Sequence, residues 1–301
     1  MRSLLLPKLL VGGLLVSSVA ACTSDDDAGR SGASQSPGSS ASSGPPTQGG
    51  GTGGEPAAKA PGAGKPKYTG FSSPTGLAYG RDGSVYVSNW SAGTVERITR
   101  DGKRSVHVKG LQAPAGLAVD RQGVLYIADY NADVVYRAPA AGKLEKFASG
   151  FHTPTGISFD SRHNLLVTNR ASNELMSVSP DGRSSRVADG LRTPVGVVEA
   201  ADGTIYVSNY EGGVLSRVTR DGTVETHSKD FDGLGVGIVA DKAGSVFVTD
   251  RTAGAIKRVA RDGSITSVLT GLSSPVALGI DAEGHLATAT WGDSAYYEIP
   301  S

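Results

Sequence analysis

The chain has 301 residues, with 29 Lys plus Arg against 29 Asp plus Glu, and 38% of its residues are hydrophobic. Such a balance excludes a nucleic-acid footprint, which needs a strong basic excess to release counterions. The one cysteine, Cys22, lies outside the long repetitive region, so no disulfide framework supports that region.

From the N-terminus, Arg2 and Lys8 precede an apolar run over residues 9–19, which ends at Val19-Ala20-Ala21-Cys22. A basic start, an apolar stretch too short to span a bilayer and a small-residue cleavage site read as a secretory signal over residues 1–21. The ending resembles a bacterial lipobox, in which the residue after the cut is a lipidated cysteine. The expectation is therefore a lipid on Cys22, an extracytoplasmic location and membrane attachment through that lipid. An exported, thiol-oxidising compartment agrees with a folded part that has no cysteine. Removal of the signal leaves 27 basic against 29 acidic residues. Residues 22–61 are rich in Gly, Ser and Pro, with almost nothing to bury, and are expected to form a disordered spacer. A flexible coil of that length separates its ends by roughly 30–40 Å.

Residues 62–301 repeat. PTGLAYGRDGSVYVSNW starts at Pro74, PAGLAVDRQGVLYIADY at Pro114, PTGISFDSRHNLLVTNR at Pro154 and PVGVVEAADGTIYVSNY at Pro194; weaker copies start at Gly235 and Pro275. A period of about forty residues, rich in short β-runs and Gly turns, signals a repeat architecture. Within each copy the apolar, β-branched and aromatic runs predict four strands. Asp101-Gly102, Asp181-Gly182, Asp221-Gly222 and Asp262-Gly263 mark a hairpin turn between the last two, with Ala141-Gly142 at the same place in the second copy. Second strands that are apolar on both faces (VYV, LYI, IYV, VFV) suit sheets stacked face to face. The predicted fold is all-β, a six-bladed β-propeller of four-stranded antiparallel blades. The last copy has only three strands, so the stretch 65–71 is expected to supply its outer strand and close the ring. A closed ring buries its core without a partner, and a monomer is expected.

The pattern P-x-G-(I/L/V)-(A/S)-x-D-x-x-G-x-(L/I/V)-Y-V-(A/S)-(D/N) resembles the NHL repeat family and the neighbouring superfamily of gluconolactonase/senescence-marker enzymes and streptogramin lyases. The resemblance covers residues 68–300. It implies the propeller, while leaving open whether the chain is a sensor, a scaffold, a lactonase or a lyase.

Two ring positions follow from counting along each copy. Asn89, Asp129, Asn169, Asn209, Asp250 and Thr290 stand at the end of the second strand, where such side chains hydrogen-bond the backbone of a following turn. One residue on stand Trp90, Tyr130, Arg170, Tyr210, Arg251 and Trp291. These aromatics and arginines, types enriched in binding hot spots, are the candidate ligand-binding rim, for a small ligand, a glycan or a protein. The Asp residues 82, 120, 160, 202, 241 and 281 belong to turns on the opposite face. In the third of these turns the His163-Asn164 pair replaces glycine, and Asn tolerates the left-handed conformation expected there.

The resemblance to gluconolactonases implies a divalent metal held by Glu and Asn/Asp, several of them beside the glycine near the start of a blade. Here Thr75, Ala115, Thr155, Val195, Val236 and Val276 stand at that place, and none is an anionic ligand. The resemblance to streptogramin lyases implies an acid/base pair of His and Glu, for which His152 and Glu211 are the available residues; this chain has Tyr-Val-Ser-Asn where those enzymes tend to have Trp-Phe-Thr-Glu. No catalytic residue, metal or cofactor is assigned. A binding or sensor propeller on a lipid anchor is preferred, with a propeller enzyme of lyase or lactonase type as the alternative.

Overall fold

In a computed structural model of the full chain, residues 60–139 and 143–300 are described. The expected signal, Cys22, most of the spacer and the Ala141-Gly142 turn lie outside them. Among the described residues every regular element is a strand. Five sheets have four strands in simple meander order and the sixth has three. The blades begin with the strands Pro74–Tyr79, Pro114–Val119, Pro154–Phe159, Pro194–Glu199, Leu234–Ala240 and Pro275–Ile280.

These first strands surround a central channel, and backbone closeness there requires the repeated glycine. A Cβ on Gly76 would lie 2.1 Å from the Ala115 carbonyl oxygen, and one on Gly116 would lie 2.4 Å from that of Thr155. The core consists of six apolar clusters, each drawn from two adjacent blades. Tyr126, Val135, Ile157 and Leu165 join blades two and three, and Leu77, Val87, Ala287 and Tyr296 join blades one and six. Burial on both faces of each blade accounts for the absence of alternation in the second strands: Val85–Asn89 and Leu125–Asp129 are buried throughout. Hydroxyls add polar staples. Ser88 Oγ accepts from Gly76 N at 2.7 Å and donates to the Ala115 carbonyl of the next blade at 2.7 Å. Ser208 reaches Gly235 O in the same way at 3.1 Å.

The ring closes through the predicted segment. Tyr68 bridges antiparallel to Tyr296, with Tyr296 N donating to Tyr68 O at 2.8 Å and Phe71 N to Ser294 O at 3.1 Å. This closure is a bridge and not a full strand. The residues just before it reach blade five, with Ala63 N donating to Thr270 O at 2.7 Å, and the Arg104 guanidinium of blade one donates to Thr69 O and Gly70 O of the segment.

Candidate functional site

The mouth where first strands begin and second strands end is built from locked loops. At all six rim positions the backbone N–H donates to the carbonyl of the residue just before a first strand. Trp90 reaches Ser73, Tyr130 reaches Ala113, Arg170 reaches Thr153, Tyr210 reaches Thr193, Arg251 reaches Gly233 and Trp291 reaches Ser274, at 2.7–3.2 Å. Ser73, Thr153, Thr193 and Ser274 take left-handed φ of 52–57° there, a conformation that costs energy for non-glycine residues and persists only where surroundings fix it.

What fixes it lies one layer below. Asn89 accepts from Ser72 N at 2.8 Å, Asp129 from Gln112 N and Ala113 N at 2.8 Å, Asn209 from Arg192 N at 2.9 Å, and Asp250 from Asp232 N and Gly233 N at 3.1 and 3.0 Å. Asn169 does the same for His152 N. These side chains are buried, and the loop they brace is mainly the one leading into the first strand, seventeen residues earlier, rather than the turn that follows. Thr290 departs from the pattern and bonds Asp293 and Ala295 O within its own loop.

Above this brace the six rim side chains form a chain of contacts around the mouth. The Trp90 and Tyr130 rings lie 4.8 Å apart, centroid to centroid. Arg170 donates to the Tyr130 hydroxyl at 2.6 Å, and its guanidinium stands 5.8 Å from the ring centroids of both Tyr130 and Tyr210. Arg251 stands 5.8 Å from Tyr210 and 5.7 Å from Trp291. Distances within about 6 Å are those of cation–π attraction. Tyr210 remains 45% exposed and Trp291 37%, so these two rings, on either side of Arg251, still offer area to a ligand.

The channel below holds a cavity of about 340 Å³, walled by first-strand residues such as Leu77, Leu117, Ile157, Val197, Ile238 and Leu278. Among the described residues no Asp, Glu or His lines it. Asp129 and Asp250 near the mouth spend their oxygens on backbone N–H groups, and Asp250 also pairs with Lys257 Nζ at 2.7 Å. The donor set therefore does not fit a divalent cation in the channel, which wants several free oxygen ligands. His152 and Glu211 both reach the rim. His152 carries its hydrogen bonds through its backbone, Glu211 accepts from the Thr193 hydroxyl at 3.3 Å, and no hydrogen bond joins the pair among the described residues.

The opposite mouth is made of short turns closed on themselves. Asp120 Oδ1 accepts from Gln122 N and Val124 N, and Asp202 Oδ1 from Thr204 N. In the third turn it is His163, not Asn164, that takes the left-handed conformation, at φ 67°, while Asn164 Nδ2 donates to Asp160 Oδ2. The turn bond runs from His163 N to Asp160 O, which places His163 where the other copies carry glycine. Asp281, Glu283 and His285 bring their ligand atoms within 4.8 Å of one another. Asp281, however, already accepts from the Glu283 and His285 N–H groups and sits 2.9 Å from His285 Nδ1. A cavity of about 800 Å³ beside it follows the seam between blades six and one.

These features define a six-bladed propeller with one braced, aromatic and cationic mouth over an apolar channel. Residues 67–298 match the virginiamycin B lyase family, and the chain belongs to it. Among solved structures it is similar to virginiamycin B lyase from Staphylococcus aureus, at 18% identity and a TM-score of 0.61, over 76% of this chain and 85% of that one. A gluconolactonase from Xanthomonas campestris is similar at 18% identity and a TM-score of 0.71, over 78% and 88% of the two chains. So is a calcium-binding regucalcin from Agrobacterium tumefaciens, at 16% identity and 0.69, over 80% and 94%. A comparison with curated protein sequences found no significant match.

Proposed function

We propose that this chain is an extracytoplasmic binding propeller, tethered to a membrane by lipid on Cys22, that takes an envelope ligand on the mouth ringed by Trp90, Tyr130, Arg170, Tyr210, Arg251 and Trp291. The observation that carries this reading is the continuous run of ring and guanidinium contacts on loops that are already locked, so that little ordering cost remains to be met on binding. Titrating envelope glycans and peptides into the full chain while following tryptophan emission tests it. A saturable shift that disappears in folded Trp291→Ala protein supports the reading, and emission indifferent to every additive opposes it. Replacing Cys22 with Ser is expected to move the protein from the detergent to the aqueous phase on phase partitioning.

Family membership favours a second reading, a lyase acting on a compound related to virginiamycin B. In that case His152 and Glu211 are the residues to supply general acid and base, and a substrate has to bring them into hydrogen-bonding reach of its reacting atoms. Mass analysis of virginiamycin B incubated with the chain and with His152→Ala separates the readings. Conversion by the first alone assigns an enzyme.

A further inference from the structure

The rim is not uniform. Blades six, one and two contribute Trp291, Trp90 and Tyr130, whereas blades three and five contribute Arg170 and Arg251 on either side of Tyr210 in blade four. Six of the other guanidiniums among the described residues find carboxylates, Arg97 with Asp82, Arg104 with Glu96 and Arg217 with Glu225 among them. Among the described residues neither Arg170 nor Arg251 forms an ion pair, although both are partly buried. Several carboxylates near the mouth are engaged elsewhere, although the exposed Asp232 side chain, beside the Gly233 carbonyl that holds Arg251 N, forms neither an ion pair nor a hydrogen bond among the described residues. Asp133 caps Thr153 N at 2.7 Å, Asp293 accepts from Thr290 and Tyr297, and Glu211 accepts from Thr193.

Resting on the reading of this mouth as the ligand face, we propose that the ligand carries an oxyanion, carboxylate or phosphate, bound between Arg170 and Arg251 over the Tyr210 ring, with an aromatic or apolar body lying toward Trp291 and Trp90. A guanidinium presents five donors in a planar fork. Arg170 spends one on the Tyr130 hydroxyl. Flanking rings hold both forks in place and exclude part of their water, which strengthens the attraction for an anion. A sugar without charge satisfies neither cation.

The test uses three probes that share one ring system: 2-naphthoate, 2-naphthyl phosphate and neutral 2-naphthamide. Binding to the full chain is followed by calorimetry and by the arginine Nε–H signals in NMR. The expected result is that an acid binds about tenfold tighter than the amide, in keeping with a charge-assisted fork. That advantage should vanish in Arg170→Gln/Arg251→Gln and partly return in Arg170→Lys/Arg251→Lys, with melting curves showing all variants folded. The stronger of the two acids identifies the oxyanion. Equal affinity of acid and amide, with loss of both in Trp291→Ala, overturns the oxyanion and leaves the ligand face standing. No binding of any probe up to about 10 mM, the range of the weakest specific affinities, also overturns the oxyanion, and the emission titration then judges the face on its own.

Discussion

The two mouths of the channel arise from the same repeat and put their carboxylates and amides to different ends. At the turn mouth each Asp side chain binds N–H groups two to four residues ahead in its own turn. Much of the charge is consumed locally. At the loop mouth the corresponding Asn and Asp side chains reach back about seventeen residues to brace a separate loop. This longer reach frees the next residue of the copy from structural duty in its side chain, because its backbone N–H already ties the two loops together. A repeat protein can thus keep one end closed and leave a variable position at the other.

The sharpest test of that contrast is to remove a brace. Asp250 is fully buried and holds three N–H groups and Lys257. Asp250→Leu is expected to cost about 3–5 kcal/mol, as when one partner of a buried pair is deleted, and denaturant unfolding measures it. The same loss from Asp202→Leu at the exposed turn mouth would break the contrast. Next in size is Tyr210→Ala in the rim. It should cost about 1 kcal/mol or less, the worth of partly exposed cation–π contacts, while abolishing ligand binding. A loss as large as that for Asp250→Leu would make the rim a structural clasp.

Acid should act on the turn mouth. Burial alone would raise the Asp82 carboxyl, but the Ser84 N–H and hydroxyl and the Arg97 guanidinium hold it below its ordinary value. The N–H and hydroxyl of Thr204 lower that of Asp202. Since these pKa values are depressed in the fold, their stabilisation is present above the ordinary value of 3.8 and is lost as pH falls through the folded value. Melting temperature should therefore drop further below about pH 4 in the parent than in Asp82→Asn/Asp202→Asn. His107 contributes at higher pH. Burial, and then Arg97, lower its pKa from 6.5, so its stabilisation is complete above 6.5 and declines below. The smallest effect expected is a gain. Blade two has Ala128 where Ser88 and Ser208 staple neighbouring blades, so Ala128→Ser should add about 0.5–1 kcal/mol, one buried hydrogen bond, measured by denaturant midpoint.

Most of the architecture was legible in the chain because the period is long and regular. Counting from Pro74, Pro114, Pro154 and Pro194 placed the blades, and the three-stranded last copy pointed to residues 65–71 as its completion. Counting also put the six rim residues in one phase, which their common backbone bond reproduces. It could not give direction. The Asn and Asp side chains satisfy donors in a loop that is distant in sequence, because strand pairing brings the two ends of a hairpin together. His163 rather than Asn164 adopts the left-handed turn, since the turn's hydrogen bond decides which position needs it. The alternation of ring and guanidinium depends on which neighbours the radial packing supplies, a property of the assembled ring and not of any one copy.

The bridge between Tyr68 and Tyr296 has a consequence for biosynthesis. Lys67 pairs with Glu298 across 231 residues of chain, so the early segment of the ring waits for one made much later. Until the C-terminal blade emerges, Phe71 and Leu77 lack the Ala277, Ala287 and Ala289 side chains of their shared cluster, and blade one keeps an uncovered apolar face. A truncated product, unable to shut the ring, would be left with exposed apolar surface for quality-control proteases to find.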